Sequence, residues 1–155
     1  MTDQKSSAVS ADFSRICGLL EKKITIFKDF MSLTILLKNM IREHNVEAVE
    51  MMIAQRHDHI VFINRIDDEI RMIRETNPPY EAMLNSEMRK RIQSLLKIVE
   101  NCINKTMRLN RDCETAAEDE LHKLGNGLSR LGQRGQSFKG YAGKSWEPRF
   151  LDVMT

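Results

Sequence analysis

The sequence predicts an all-α protein: an antiparallel three-helix bundle or coiled coil, followed by a flexible C-terminal tail. In three long segments, apolar residues recur every three or four positions, which is the pattern of amphipathic helices. Strong turn signals separate these segments, and no strand-like alternation is sustained in the 155 residues. Because short turns let neighbouring helices bury their apolar stripes against one another, a bundle is the economical fold.

The first predicted helix begins near Asp12, a suitable N-cap, and continues to about Arg42. Its main apolar stripe consists of Phe13, Ile16, Leu20, Ile24, Phe27, Met31 and Leu37. A second stripe beside it consists of Leu19, Ile26, Leu33 and Met40. The buried face should therefore be wider than the seam of a two-stranded coiled coil. Residues 1–11 are mostly polar and small, and we expect them to form a flexible N-terminal arm.

A turn near His44 and Asn45 should separate the first helix from the second, because Asn45 can cap a new helix. No Gly or Pro enforces this break, so one long kinked helix is the alternative. The stripe of the second helix consists of Val46, Val49, Ile53, Ile60, Ile63, Ile70 and Ile73. Asp67 falls close to this stripe, which a basic partner on another helix would explain. Pro78 and Pro79 end the helix.

The third predicted helix starts between Pro79 and Asn85 and extends for about 40 residues, or roughly 60 Å. Its apolar side consists of Met83, Met88, Ile92, Leu95, Val99, Cys102, Met107, Cys113, Ala117, Leu121 and Leu124. The other two helices are shorter, so its end should project beyond the bundle or fray. Glycines within 125–127 should end or hinge it. The expected organisation is thus an arm (1–11), a helical bundle (12–124) and a Gly-rich, partly disordered partner-binding tail (125–155).

The charge pattern argues against nucleic acid as a partner. The formal net charge is only +2, although the segment 125–155 carries five Lys or Arg against two Asp or Glu. The basic run at 89–91 has no interleaved aromatic residue and is expected to be a solvated helix face. The longest apolar run, MSLTILL, is too short to span a bilayer, and no signal peptide is visible. We therefore expect a cytoplasmic protein without membrane insertion.

The sequence offers little for catalysis or metal binding. It has no phosphate-binding loop, no nucleophile elbow and no zinc-protease motif. Cys17, Cys102 and Cys113 form no C-x-x-C pair. His57 and His59 stand two apart on a helix and point in nearly opposite directions, so they cannot share one ion. We expect no enzyme activity, no catalytic residue, no metal and no cofactor.

The C-terminal segment differs from everything before it. Residues 132–155 hold four of the seven glycines and the only tryptophan. Aromatic anchors that glycines interrupt cannot form a core among themselves, but they suit a partner's groove. The alternative is a tail that folds back on its own bundle. A leucine stripe with spacings of three and four precedes the aromatics. The candidate partner-binding residues are Leu121, Leu124, Leu128, Leu131, Phe138, Tyr141, Trp146 and Phe150.

Several stretches resemble FlgN-type flagellar export chaperones. The segment LLKNMIREHNVEAVEMMIAQRHDHIVFINRIDDEI is similar to their helical hairpin, with Glu43, the HNVEAV turn and Arg56 at the expected places. In IQSLLKIVENCINKTMRLN, Asn101 and Asn104 match an N-x-x-N pair of that family. The stretch GYAGKSWEPRFLD is similar to its glycine- and tyrosine-bearing C-terminus. The likeness extends from about Phe13 to the end of the chain.

This resemblance implies a cytoplasmic chaperone of the flagellar type III secretion pathway. Its partners would be hook-associated proteins, which form the hook-filament junction, and components of the export apparatus. The chaperone would bind the helical terminal segments of these clients, prevent their premature association and deliver them for export. Two alternatives remain open: a chaperone for another flagellar client such as the filament cap, and a structural coiled-coil protein that self-associates through the same stripes.

Overall fold

A computed structural model describes residues 2–76 and 80–130. The elements are α1 (Thr2–Arg42), α2 (Val46–Thr76), a single turn α3 (Tyr80–Met83) and α4 (Ser86–Arg130). No strand occurs within these residues. Three of the helices are long and pack together, which confirms the predicted three-helix bundle.

Helix α1 is the centre of the bundle and packs along both α2 and α4. Its contacts with α2 show antiparallel helices, since Lys23 meets Asp67 and Phe30 meets Arg56. Its contacts with α4 show parallel helices, since Glu21 meets Arg91 and the later Thr34 meets Cys113. The chain therefore runs up, down and up again.

The turn between α1 and α2 lies where the sequence predicts it. His44 adopts a positive φ of 59°, a left-handed conformation that ends helices. The side chain of Asn45 then caps α2, with its Oδ1 accepting a hydrogen bond from the amide of Ala48 at 3.2 Å. The break is thus a genuine helix end and not a kink in one long helix.

A second asparagine cap starts α4. The Oδ1 of Asn85 accepts a hydrogen bond from the amide of Met88 at 2.8 Å. Leu84, between α3 and this cap, is 7% exposed and belongs to the main core cluster. The connection therefore contributes an apolar residue to its end of the bundle.

The core consists largely of the predicted stripes. Phe27 and Ile63 are completely buried. The main cluster comprises Ile16, Cys17, Leu20, Ile24, Phe27, Ile63, Ile73, Leu84, Leu95, Val99, Cys102 and Ile103. Three stripe positions were wrong, because each lies near the end of its helix: Val46 is 65% exposed, Met83 46% and Leu124 36%.

Two predicted boundaries differ from the structure. Helix α1 begins at Thr2, so residues 2–11, expected as a flexible arm, are helical; Val9 packs against the core cluster. Helix α4 continues through Gly125 and Gly127 to Arg130, where we expected an end or a hinge. A glycine inside a helix costs about 1 kcal/mol relative to alanine, which weakens a helix without ending it. The remainder of the predicted tail, 131–155, lies outside the described residues.

None of the helices in the described part of the chain is both long enough and apolar enough to cross a membrane.

Candidate partner-binding surface

The bundle has two dissimilar halves along its axis. The main apolar cluster ends at Phe27 on α1 and at Ile103 on α4. Beyond that level, the buried residues of α4 are Thr106, Cys113 and Ala116, all of them small. We call this part the distal half; it comprises residues 30–42, 46–60 and 106–130. Phe30 and Leu37 of α1 are also buried in this half, but the small side chains of α4 add little apolar area, so polar contacts take a larger share in holding α4 there.

Arg56 is the central polar contact of the distal half. It is 5% exposed, and its guanidinium carbon lies 4.6 Å from the centre of the Phe30 ring, a cation–π geometry. Its Nη2 donates a hydrogen bond to Oδ1 of Asn110. Burial lowers the pKa of Arg56, but a guanidinium stays protonated in proteins. One side chain from α2 thus contacts both α1 and α4.

Hydroxyl and thiol groups fill the space next to Arg56. Thr34 and Thr106 are completely buried, and each hydroxyl donates to the carbonyl one turn earlier, to Phe30 at 2.8 Å and to Cys102 at 2.7 Å. The thiol of Cys113 donates to the carbonyl of Thr34 at 3.1 Å. These contacts satisfy the hydrogen-bond donors of the two hydroxyls and the thiol.

The α1–α2 turn is joined to α4 by a charged contact. Nε2 of His44 lies 2.6 Å from Oε2 of Glu120, and Nζ of Lys123 donates to the other carboxylate oxygen at 3.2 Å. The hydrogen bond with His44, followed by that from Lys123, lowers the pKa of Glu120. The side chain of His44 is half exposed, so this contact lies at the rim of the bundle.

Past this contact, α4 extends beyond the turn. About ten residues follow Glu120 in the helix, which corresponds to roughly 15 Å at 1.5 Å per residue. We call this segment, 121–130, the overhang. A shallow cleft lies where it leaves the turn, lined by Arg42, His44, Glu120, Lys123, Leu124, Gly127 and Leu128. The predicted projection of the last helix is thereby confirmed.

The structure brings three of the predicted partner-binding residues together on the overhang. Leu121 and Leu128 are half-buried, whereas Leu124 is 36% exposed. Leu124 and Leu128 line the cleft beside basic Arg42 and Lys123. The other five predicted residues lie outside the described residues: Leu131, Phe138, Tyr141, Trp146 and Phe150.

Sequence reasoning found some of this arrangement and missed the rest. It predicted a basic partner for Asp67, and Lys23 of α1 is that partner at 2.6 Å. It did not predict a partner for His44, because the sequence pattern does not show that Glu120, 76 positions away, lies beside the turn. The positive φ of His44 has a signal in the sequence, since His tolerates this conformation better than most residues do.

The overhang and the cleft beside it have the character of a binding surface. Within the described residues, no three His, Cys, Asp or Glu side chains are grouped so that they could hold a metal ion. The leucines of the overhang suit an amphipathic partner helix.

Comparison with protein-family models, with curated proteins and with solved structures finds no match to this chain.

Proposed function

We propose that the protein is a cytoplasmic chaperone of the flagellar type III export pathway. It binds the helical terminal segments of hook-filament junction proteins, keeps them from associating prematurely and delivers them for export. The proposal combines the resemblance of the sequence to FlgN-type chaperones with the overhang of α4. It involves no cofactor and no chemical step.

The overhang is the structural feature that most directly supports the proposal. Leu121, Leu124 and Leu128 follow one another at spacings of three and four on a helix that extends beyond its neighbours. An amphipathic client helix presents apolar residues at the same spacings, so the two can pack side by side. Each helix covers apolar residues that the other leaves exposed, which is how such a chaperone would prevent self-association of its client.

The polar contacts that hold α4 in the distal half suit a carrier that must release its client. Arg56, Cys113 and Glu120 hold this part of α4 through polar contacts, and Cys113 and Ala116 bury little area. Elements with few buried apolar contacts open at low free energy. A binding helix that can shift on its support can both accept and give up a partner.

The test measures binding of the full chain to a labelled peptide from the terminal helix of a hook-filament junction protein. The pair Leu124→Asp and Leu128→Asp should weaken binding by at least about tenfold, equivalent to 1.4 kcal/mol. Leu96→Asp is the matched control, because Leu96 is a 43% exposed leucine on the same helix but far from the overhang. Equal affinities for both variants would contradict the proposed site.

Two further binding measurements test the identity of the client and the role of the tail. A terminal peptide from the filament cap protein, tested in parallel, separates the proposed client from its main alternative. Truncation after Arg130 removes Leu131, Phe138, Tyr141, Trp146 and Phe150 together. If the truncated chain binds as tightly as the full chain, these residues take no part in client binding.

A further inference from the structure

The α1–α2 hairpin has a face that α4 does not cover. Helix α4 packs on the side of α1 marked by the pair Glu21–Arg91 and by the contact of Thr34 with Cys113. The pair Arg15–Glu69, 3.6 Å apart and exposed, marks a different edge of the hairpin. We call this surface the open face. It consists of the side chains that lie on the same side of α1 as Arg15 and on the same side of α2 as Glu69.

Large apolar side chains on the open face are half-buried or exposed, and two of them, Leu19 and Ile26, also pack against the main core cluster. Positions four, eleven and eighteen after Arg15 lie in its row on α1; they are Leu19, Ile26 and Leu33, all half-buried. Leu36 follows in the same row and is 46% exposed. On α2, Phe62 lies two turns before Glu69 and is 49% exposed; Met51 is 59% exposed.

The register of the hairpin arranges the open face in bands. Two contacts fix the register of the hairpin: Lys23 lies opposite Asp67, and Phe30 lies opposite Arg56. Because the helices are antiparallel, each step forward on α1 corresponds to a step back on α2. To within one turn, the following residues then lie level with each other: Leu19 and Met72, Lys22 and Arg65, Ile26 and Phe62, Asp29 and Asp58, Leu36 and Met51. The order of the bands is apolar, basic, apolar, acidic, apolar, and the exposed Arg15–Glu69 ion pair lies beside the first apolar band.

The charges in these bands are not neutralised within the chain. Lys22, Arg65, Asp29 and Asp58 are all exposed. Across residues 2–76 and 80–130, none of these four forms an ion pair with another side chain. Arg65 instead lies 5.7 Å from the centre of the Phe62 ring. Two bases and two acids therefore stand on either side of an exposed aromatic ring.

From this pattern we infer that the open face binds a second copy of this chain, forming an antiparallel dimer with two-fold symmetry. The two-fold axis passes through the central band of Ile26 and Phe62. Rotation about it places the basic band of each copy opposite the acidic band of the other, and the outer apolar bands opposite each other. An interface with two-fold symmetry must be complementary to itself, and this order of bands meets that requirement.

The dimensions of the open face agree with a reversible dimer. From Arg15 to Leu36 it spans about 32 Å at 1.5 Å per residue, and it is two helices wide. That corresponds to roughly 600 Å² per copy, at the low end of specific interfaces. The overhang of α4 lies outside this area, so the dimer leaves the proposed client site free.

The test is sedimentation of the full chain and of two charge-reversal variants. The basic-band variant carries Lys22→Glu and Arg65→Glu; the acidic-band variant carries Asp29→Lys and Asp58→Lys. The wild-type chain should approach twice its 18.0 kDa as concentration rises. Each variant alone should dissociate at least about tenfold more readily, since like charges then face each other. An equimolar mixture of both should regain the dimer, because opposite charges face each other again.

Two controls keep the result interpretable. Arg108→Glu with Arg111→Glu makes the same charge change at exposed positions on α4 and should leave the dimer intact. Phe62→Ser, at a half-exposed position, should retain helical circular dichroism and lose the dimer. A wild-type chain that stays monomeric, or a mixture that stays monomeric, overturns the inference. If Phe62→Ser weakens only client binding, the open face belongs to the client.

Discussion

Lys23 of α1 and Asp67 of α2 form an ion pair of 2.6 Å, with side chains only 4% and 3% exposed. The second carboxylate oxygen of Asp67 is buried and, among the described residues, has no hydrogen-bond partner. Burial raises the pKa of Asp67, while the hydrogen bond and charge of Lys23 oppose that rise. Because Asp67 is desolvated and only one of its two carboxylate oxygens is hydrogen-bonded, this ion pair contributes less to net stability than its short distance suggests.

The ion pair should therefore respond differently to single and double substitution. Asp67→Ala leaves the Lys23 ammonium buried without its partner, and we expect a loss of about 3–5 kcal/mol in the free energy of unfolding. Lys23→Met with Asp67→Leu should be neutral or stabilising by about 1–4 kcal/mol. Urea denaturation measures both. A double variant that is as unstable as Asp67→Ala would show that the pair itself contributes net stability.

Arg56 should not be replaceable by lysine. A lysine keeps the charge but loses the planar group that lies over Phe30 and reaches Asn110. We expect Arg56→Lys to lower the free energy of unfolding by about 1–3 kcal/mol through the weakened hydrogen bond. Arg65→Lys, which changes an exposed arginine beside Phe62, is the matched control. Equal effects at both positions would mean that burial of Arg56 adds nothing.

The contact of His44 with Glu120 should weaken in acid. The pKa of Glu120 is below its ordinary value of 4.5 in the folded state. A carboxyl with a lowered pKa stabilises the fold above its ordinary pKa, and this contribution disappears as pH falls through the lowered value. The Glu120→Gln variant should therefore have a lower melting temperature than the wild-type chain at neutral pH. Well below pH 4.5, the two melting temperatures should be the same. A melting difference that persists in acid would assign the effect to packing.

The cysteines should be chemically inert in the folded protein. Cys17, Cys102 and Cys113 are buried, and burial raises the pKa of each thiol. Because the thiolate is the reactive form, labelling by a thiol reagent should be slow until the chain is unfolded. Replacing all three with alanine should leave client binding unchanged. Rapid native labelling of any of the three would reveal local opening around that residue.

The bundle should survive loss of the distal part of α4. All residues of the main apolar cluster, and the side chains packed against it, lie between Val9 and Met107. A chain cut after Asn110 should therefore keep a cooperative thermal transition, at a lower temperature because Cys113 and Ala116 are removed. A product without a cooperative transition, which binds a hydrophobic dye, would show that the distal half is required for folding.

The sequence predicted the fold because its signals are local. Asn45 and the two adjacent prolines, Pro78 and Pro79, mark turns by their own chemistry, and the stripe through Phe27 reveals the buried face by spacing alone. The start of α1 at Thr2 was missed, since a polar segment carries no apolar period. The passage of α4 through Gly125 and Gly127 was missed because a glycine lowers helix propensity without forbidding it.

The polar contacts of the distal half could not be predicted in the same way. Arg56 and Asn110 are 54 positions apart, and only the register of α2 against α1 and α4 brings them together. Thr34 and Thr106 interrupt the apolar pattern, although their back-bonded hydroxyls let them pack as small apolar residues. Asp67 was the exception, because a carboxylate close to an apolar stripe signals that a buried basic partner is required.

The positions of Lys23 and Arg56 also restrict how the hairpin can align. Repeating stripes on two antiparallel helices would pack almost equally well after one helix slipped by a turn. Such a slip would move Asp67 from Lys23 to the neighbourhood of Leu20 or Phe27, and Arg56 away from Phe30. Each displaced charge would then lie against apolar side chains without a partner, a loss of several kcal/mol. The three buried charged side chains thereby disfavour misaligned hairpins that the apolar residues alone would accept.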